Sequence, residues 1–298
     1  MVTSLDITNL YYLITSKLNL GATFNGFMMV LAIALCMIIP YLIGSINPAI
    51  IFSKLFFHDD VRTHGSGNAG TTNILRTYGK KMAGLTFACD FLKAAISVII
   101  GSLIFNKTIG GAIAGLFVII GHMFPLYYKF KGGKGVACAV AVVLILEPLT
   151  FACLFVIFAI IIIGTKYVSL ASCMSIGLYP IIVSAFENIY KNAFGHNLGL
   201  IPATGVVMAV LIIYMHRANL KRLYEGKENK ISFGKKKEKP EPIKEVKVIE
   251  DEREYTDDDF ISCECGRVIP KVREKCVYCG AVNPYFIKNK KNNKKGKK

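Results

Sequence analysis

The run "LTFACLFVIFAIIIIG", Leu149–Gly164, contains no charged residue. A helix at the surface of a water-soluble domain keeps one polar face, whereas a helix in lipid is apolar all round and satisfies its own backbone hydrogen bonds. About 20 apolar helical residues cross the ~30 Å hydrocarbon core of a bilayer. Comparable apolar segments recur at about 27–52, 82–105, 109–128, 135–147, 168–187 and 200–215, beside the one at 149–165. The fourth in chain order, 135–147, is short enough to be tilted or re-entrant. The pattern predicts an all-α polytopic integral membrane protein with about seven transmembrane helices. Composition agrees: 53% of residues are hydrophobic and 19% charged, with no Trp, and the mean hydropathy is +0.46.

The charges are unevenly placed. Residues 1–225 carry 16 Lys/Arg and 7 Asp/Glu, and residues 226–298 carry 20 and 13. The chain therefore divides into a leader (1–26), a membrane domain (27–232), a charged linker (233–259), a four-cysteine module (260–287) and a basic tail (288–298). The leader reads as interfacial. A secretory signal is not expected, because the first apolar run is far longer than an h-region of about 7–15 residues. Basic residues (Lys54, Arg62, Arg76, Lys80, Lys81; Lys129, Lys131, Lys134; Lys166) follow the first, third and fifth segments, and the others offer little beyond Lys107 and Lys191. The positive-inside rule then places those loops and the C-terminus in the cytoplasm and the N-terminus outside.

Two glycine-rich loops on that face have the residue types that suit a phosphate. In "KFKGGKGVA", Gly132, Gly133 and Gly135 allow the backbone to curl into an anion nest, with Lys134 as a point charge and a helix N-terminus following. There is no Walker A frame. A flexible turn with surface lysines satisfies the same pattern. In "HGSGNAGTTNILRTYGKK", His64–Lys81, Gly65 and Gly67 permit close approach, and Ser66, Asn68, Thr71, Thr72 and Asn73 supply hydrogen-bonding side chains. Arg76 can fork onto a phosphate with two bonds. Asp90 and Lys93, three apart inside one apolar segment, suggest a structural ion pair. His122 ends the third segment, and His58, His64 and His196 read as solvated loop residues. Cys36, Cys89, Cys138, Cys153 and Cys173 read as small buried hydrophobes.

"GSGNAGTTNILRTYG", "GHMFPLYYKFKGGKGVA" and "HRANLKRLYEGKENK", in that order between apolar spans, resemble the three cytoplasmic motifs of the bacterial membrane glycerol-3-phosphate acyltransferases that use acyl-phosphate as donor. The resemblance covers about residues 27–232. It implies that Ser66 and Arg76 are essential, that Gly132, Gly133 and Gly135 shape the glycerol 3-phosphate site with Lys134 beside them, and that His216 and Asn219 are functional. It makes Glu228 chiefly structural, and His122, Ser169 and Ser172 pocket residues. Thr72, where the family usually has Ala, and Met215, where it often has Arg, depart from the pattern. The implied reaction joins two phosphorylated substrates, one of them greasy, so positioning and charge neutralisation at a membrane surface suit it. A nucleophilic triad and the H-x-x-x-x-D motif are missing from the sequence, and no catalytic metal or nucleotide is expected.

The tail has its own chemistry. "CECGRVIPKVREKCVYCG" offers Cys263, Cys265, Cys276 and Cys279, whose spacing suits a closed structural zinc site in a zinc-ribbon-like module in a reducing compartment. The terminal "KNKKNNKKGKK" lacks aromatic stacking residues and suits anionic lipid headgroups or plain solvation better than nucleic acid. Two other functions stay open at this level. One is a membrane transporter of a phosphorylated anion, and the other is a membrane anchor for a zinc-binding interaction module with an unidentified protein partner.

Overall fold

The computed structural model describes residues 9–18, 21–106, 108–194, 199–231, 260–263 and 268–270. The chain divides into two units, Met1–Phe233 and Gly234–Lys298. The charged linker, the basic tail, and Cys265, Cys276, Cys279 and His196 lie outside the described residues.

The first unit is helical. After α1 (Leu10–Leu18), the chain runs through α2 (Ala22–Ser45) and α3 (Pro48–Phe57). The break at residues 46 and 47 is local chemistry. Asn47 precedes a proline, which disfavours helical backbone, and its side-chain oxygen caps α3 by accepting the Ile50 N–H at 3.2 Å. The expected span at 27–52 is thus two helices in one 36-residue apolar unit. Next come α4 (Thr71–Thr77), α5 (Lys80–Ile104) and α6 (Ile109–Met123). They are followed by α7 (Val136–Leu146), α8 (Pro148–Thr165) and α9 (Val168–Ala185). The last three are α10 (Glu187–Phe194), α11 (Ile201–Met215) and α12 (Arg217–Tyr224).

Among the described residues, five helical segments are long and apolar enough to cross a bilayer. The number rises to six if α11 and α12, bent by 57°, form one span. By length and composition this is fewer than the expected number of about seven. The segment at 135–147 yields only the 11 residues of α7, about 16 Å of helix, because Glu147 precedes Pro148 and leaves helical geometry at φ −140°. On α8 the exposed side chains are those a lipid would cover: Ile160 and Ile163 are 65% and 73% exposed.

The bundle centre is α2 packed on α6, with α5 against both. Backbone contact there needs glycine. A β-carbon on Gly44 would strike the Val118 carbonyl, and one on Gly121 the Tyr41 carbonyl. Such small-residue crossings are how helices approach closely when lipid removes the hydrophobic drive. In the second unit, β1 (Phe260–Ser262) pairs antiparallel with β2 (Val268–Pro270), Ile261 opposite Ile269.

Candidate active site

A cavity of about 670 Å³ opens among α5, α7, α8, α9 and α11. Its body is apolar, lined by side chains such as Phe87, Phe91, Val140, Leu144, Phe151 and Phe158. Its mouth is polar, formed by Ser66, Asn68, Arg76, Lys134, His216 and Asn219.

The first motif is a loop shaped from within. Gly65 and Gly67 adopt left-handed backbone (φ 56° and 72°), which glycine enters without steric cost. Asn73 reaches back from α4. Its side-chain oxygen accepts the Ser66 N–H at 3.0 Å, and its amide donates to the Val61 and His64 carbonyls at 2.9 and 3.0 Å. A β-carbon on Gly65 would collide with that Asn73 oxygen. Asn73 lines the cavity while its amide is engaged by the loop's own backbone and orders it, and Gly65 and Gly67 do not line the cavity. Asn68 donates to the Ser66 carbonyl at 3.3 Å. Thr71 faces the cavity, and its buried hydroxyl has no hydrogen-bond partner among the described residues. Arg76 ends α4 at the solvent-exposed rim.

The second motif corrects the nest reading. The Gly132 N–H donates to the Met123 carbonyl at 3.2 Å and the Gly133 N–H to the His122 carbonyl at 3.1 Å, so both point at the end of α6. These glycines serve close packing. A β-carbon on Gly133 would strike His122 Nε2 and lie 2.6 Å from the Ala69 carbonyl. Gly135, at φ 81°, turns the chain into α7 and lines the cavity. What this motif presents to the cavity is Lys134 and the N-terminus of α7, a pairing suited to an anion.

Lys134 Nζ donates to the Asn219 side-chain oxygen. The Asn219 amide donates to Glu228 Oε1 at 2.6 Å, as does the Ser169 hydroxyl at 3.0 Å, while Arg222 Nε donates to Oε2 at 2.9 Å. Burial pushes the Glu228 carboxyl up, but the bonds from Asn219, Arg222 and Ser169 together hold it below its usual range. Arg222 was readable in the sequence only as one more positive charge, because its pairing with Glu228 depends on the turn after α12. Ser172 lines the cavity and donates to the Val168 carbonyl at 2.8 Å. His216, buried at the α11–α12 bend, has Nδ1 2.8 Å from the Ile212 carbonyl, which places the proton on Nδ1 and leaves Nε2 an acceptor.

Behind the mouth, Asp90 and Lys93 pair as expected, at 2.8 Å, and His122 joins them. Lys93 Nζ also donates to the Gly44 and Ile46 carbonyls at 3.1 and 2.7 Å, where α2 ends. His122 Nδ1 lies 3.1 Å from the same Asp90 carboxylate oxygen. Cys138 completes a group of potential metal donors with Asp90 and His122. The Lys93 ammonium, 3.0 Å from His122 Nδ1, already supplies positive charge there.

Burial pushes the Lys134 ammonium from the usual 10.5 down to about 8, against the pull of Glu228. The KM for a phosphate-bearing substrate is accordingly expected to rise above about pH 8, well below the ~10.4 at which surface lysines deprotonate. Stability moves the other way. Between the two values the unfolded chain binds more protons at this residue, so its contribution to stability increases with pH. Parallel KM and thermal-unfolding measurements from pH 7 to 10 check both trends.

An apolar cavity within a membrane bundle, rimmed by cations and hydrogen-bonding side chains, defines an integral membrane protein suited to joining a lipid and a phosphorylated solute. The family model "Glycerol-3-phosphate acyltransferase" matches residues 34–226. The chain belongs to that family. Glycerol-3-phosphate acyltransferase of Thermoanaerobacter sp. (strain X514) is 43% identical over 194 residues, covering 65% of this chain and 93% of the relative. The Bacillus subtilis (strain 168) protein of the same name is 39% identical over 201 residues, covering 67% and 98%. A crystal structure of PlsY (YgiH), an integral membrane glycerol 3-phosphate acyltransferase in its glycerol 3-phosphate form, is similar at TM-score 0.57 and 36% identity, covering 67% of this chain and 96% of that one. The lysophosphatidic acid form gives 0.54 and 34%, covering 67% and 95%.

Proposed function

We propose that this protein transfers a fatty acyl group from acyl-phosphate to the 1-hydroxyl of glycerol 3-phosphate, giving lysophosphatidic acid, at the cytoplasmic face of the plasma membrane. The observation that carries this reading is one cavity lined both by apolar side chains and by Arg76 and Lys134. The acyl chain lies in the apolar body. Arg76, Lys134 and the α7 N-terminus neutralise phosphate, with Ser66, Asn68 and Thr71 offering further hydrogen bonds. His216 Nε2 accepts from the attacking hydroxyl and holds its proton. The hydroxyl oxygen bonds to the acyl carbon, and phosphate departs with the electron pair of the broken C–O bond. Acyl-phosphate is already activated, so positioning and charge neutralisation supply the catalysis. The cytoplasmic orientation is supported by the basic residues that gather in the loops of this mouth. Purified protein supplied with acyl-phosphate or acyl-CoA is expected to turn over the former; equal or faster turnover with acyl-CoA contradicts the donor assignment.

We also propose one structural zinc in the tail, held by Cys263, Cys265, Cys276 and Cys279, with a role separate from catalysis. Four thiolates leave zinc no open position for a substrate. The short β1–β2 pairing, with Cys263 directly after β1, supports a compact metal-held module. Metal analysis of the full-length protein is expected to find about one zinc per chain, lost in Cys276→Ser, with acyl transfer retained. Loss of turnover together with the zinc contradicts that separation.

A further inference from the structure

We propose that Arg62, braced by Asp60, is a positioning residue that clasps the second-motif loop to the first and so sets where Lys134 stands at the cavity mouth. The inference rests on that mouth being the substrate-phosphate site. Arg62 is absent from the cavity lining and acts through other residues.

Its guanidinium uses all three nitrogens. Nε lies 3.0 and 3.2 Å from the two Asp60 carboxylate oxygens and NH2 lies 2.7 Å from Oδ2, while NH1 donates to the Tyr128 and Lys131 carbonyls at 3.2 and 3.3 Å. Asp60 is itself fixed, because it also accepts the Arg62 backbone N–H at 3.0 Å and caps the turn that leads into the Ser66 loop. The carbonyls that NH1 reaches flank Lys129 and Phe130, two consecutive non-glycine residues in left-handed backbone at φ 57° and 56°. L-residues visit that region reluctantly, and the bend is held from within by the Phe130 N–H on the Pro125 carbonyl at 3.0 Å and the Lys131 N–H on the Tyr128 carbonyl at 3.2 Å. Arg62 adds a clasp from outside, from the turn Val61–Thr63 just before the first motif, and its bond to Lys131 falls three residues before Lys134. A planar fork that grips a carboxylate on one side and two carbonyls on the other has no equivalent in lysine's single ammonium.

The test compares wild type, Arg62→Ala, Arg62→Lys, Lys134→Ala and the Arg62→Ala/Lys134→Ala double variant in detergent. Wild type must first acylate glycerol 3-phosphate; failure there rejects the proposed function rather than this residue's role. In Arg62→Ala and Arg62→Lys the KM for glycerol 3-phosphate is expected to rise about tenfold or more, with a smaller change in kcat. Glycerol 3-phosphate binding, read from its concentration-dependent melting shift, should weaken in parallel. In the Lys134→Ala background, Arg62→Ala should weaken binding by less than about twofold, because coupled residues are not additive. An unchanged KM in a cooperatively melting variant overturns the proposal, as does the same loss of binding with or without Lys134. Should Arg62→Ala fail to fold, Asp60→Asn, which keeps the shape but loosens the brace, is expected to raise KM in the same direction. No rise in that variant overturns the proposal.

Discussion

Replacing Lys134 by alanine is expected to lower kcat/KM for glycerol 3-phosphate by two to three orders of magnitude, of the size of the ~2.7–4 kcal/mol seen when one preorganised donor to a developing charge is removed. The ammonium is directed by Asn219, which Glu228 fixes in turn, and it stands beside the N-terminus of α7, so its charge is aimed before substrate arrives. Partial burial strengthens its field while making it costly to keep charged, as its lowered pKa of about 8 shows. The variant should therefore melt no lower than wild type while losing activity. A loss of less than about tenfold, ~1.4 kcal/mol, means that the phosphate binds elsewhere.

The largest effect on stability is expected from Asp90→Ala. Asp90 and Lys93 are 1% and 8% exposed, and the change leaves a buried ammonium facing only carbonyls and an imidazole. Breaking a buried pair from one side costs about 3–5 kcal/mol, a fall in melting temperature on the order of 10 °C for a domain of this size. Because His122 also loses its carboxylate neighbour, and its ring packs on Gly133, glycerol 3-phosphate turnover should fall at temperatures where the variant is still folded. A melting temperature within about 2 °C of wild type shows that the cluster is not a keystone of the bundle.

The membrane class, the polar loops and the Asp90–Lys93 pair were legible because they depend on local runs and i,i+3 spacing. The break of α2 before Pro48 and the early end of α7 before Pro148 were also written locally, as Asn-Pro and Glu-Pro, but continuous apolar runs masked them. Roles that depend on distant partners were not legible. Glycine spacing suggested N–H groups curled around an anion, whereas Gly132 and Gly133 meet carbonyls of Met123 and His122, nine and eleven residues earlier. Asn73 looked like a ligand because its type suits one, yet its amide closes the loop that displays Ser66. His122 joins Lys93 across 29 residues, and Arg62 joins Lys131 across 69. Such separations are set by how helices pack.

In the proposed reaction, one membrane cavity brings acyl-phosphate and glycerol 3-phosphate together for direct acyl transfer. The measurement that tests it most directly supplies purified protein with labelled glycerol 3-phosphate and acyl-phosphate, without CoA and with a chelator, and quantifies both products. Lysophosphatidic acid and inorganic phosphate should form in equal amounts, both about a hundredfold or more slower when Lys134→Ala replaces the wild type. Phosphate release without lysophosphatidic acid, or product that appears only when CoA is added, contradicts the account.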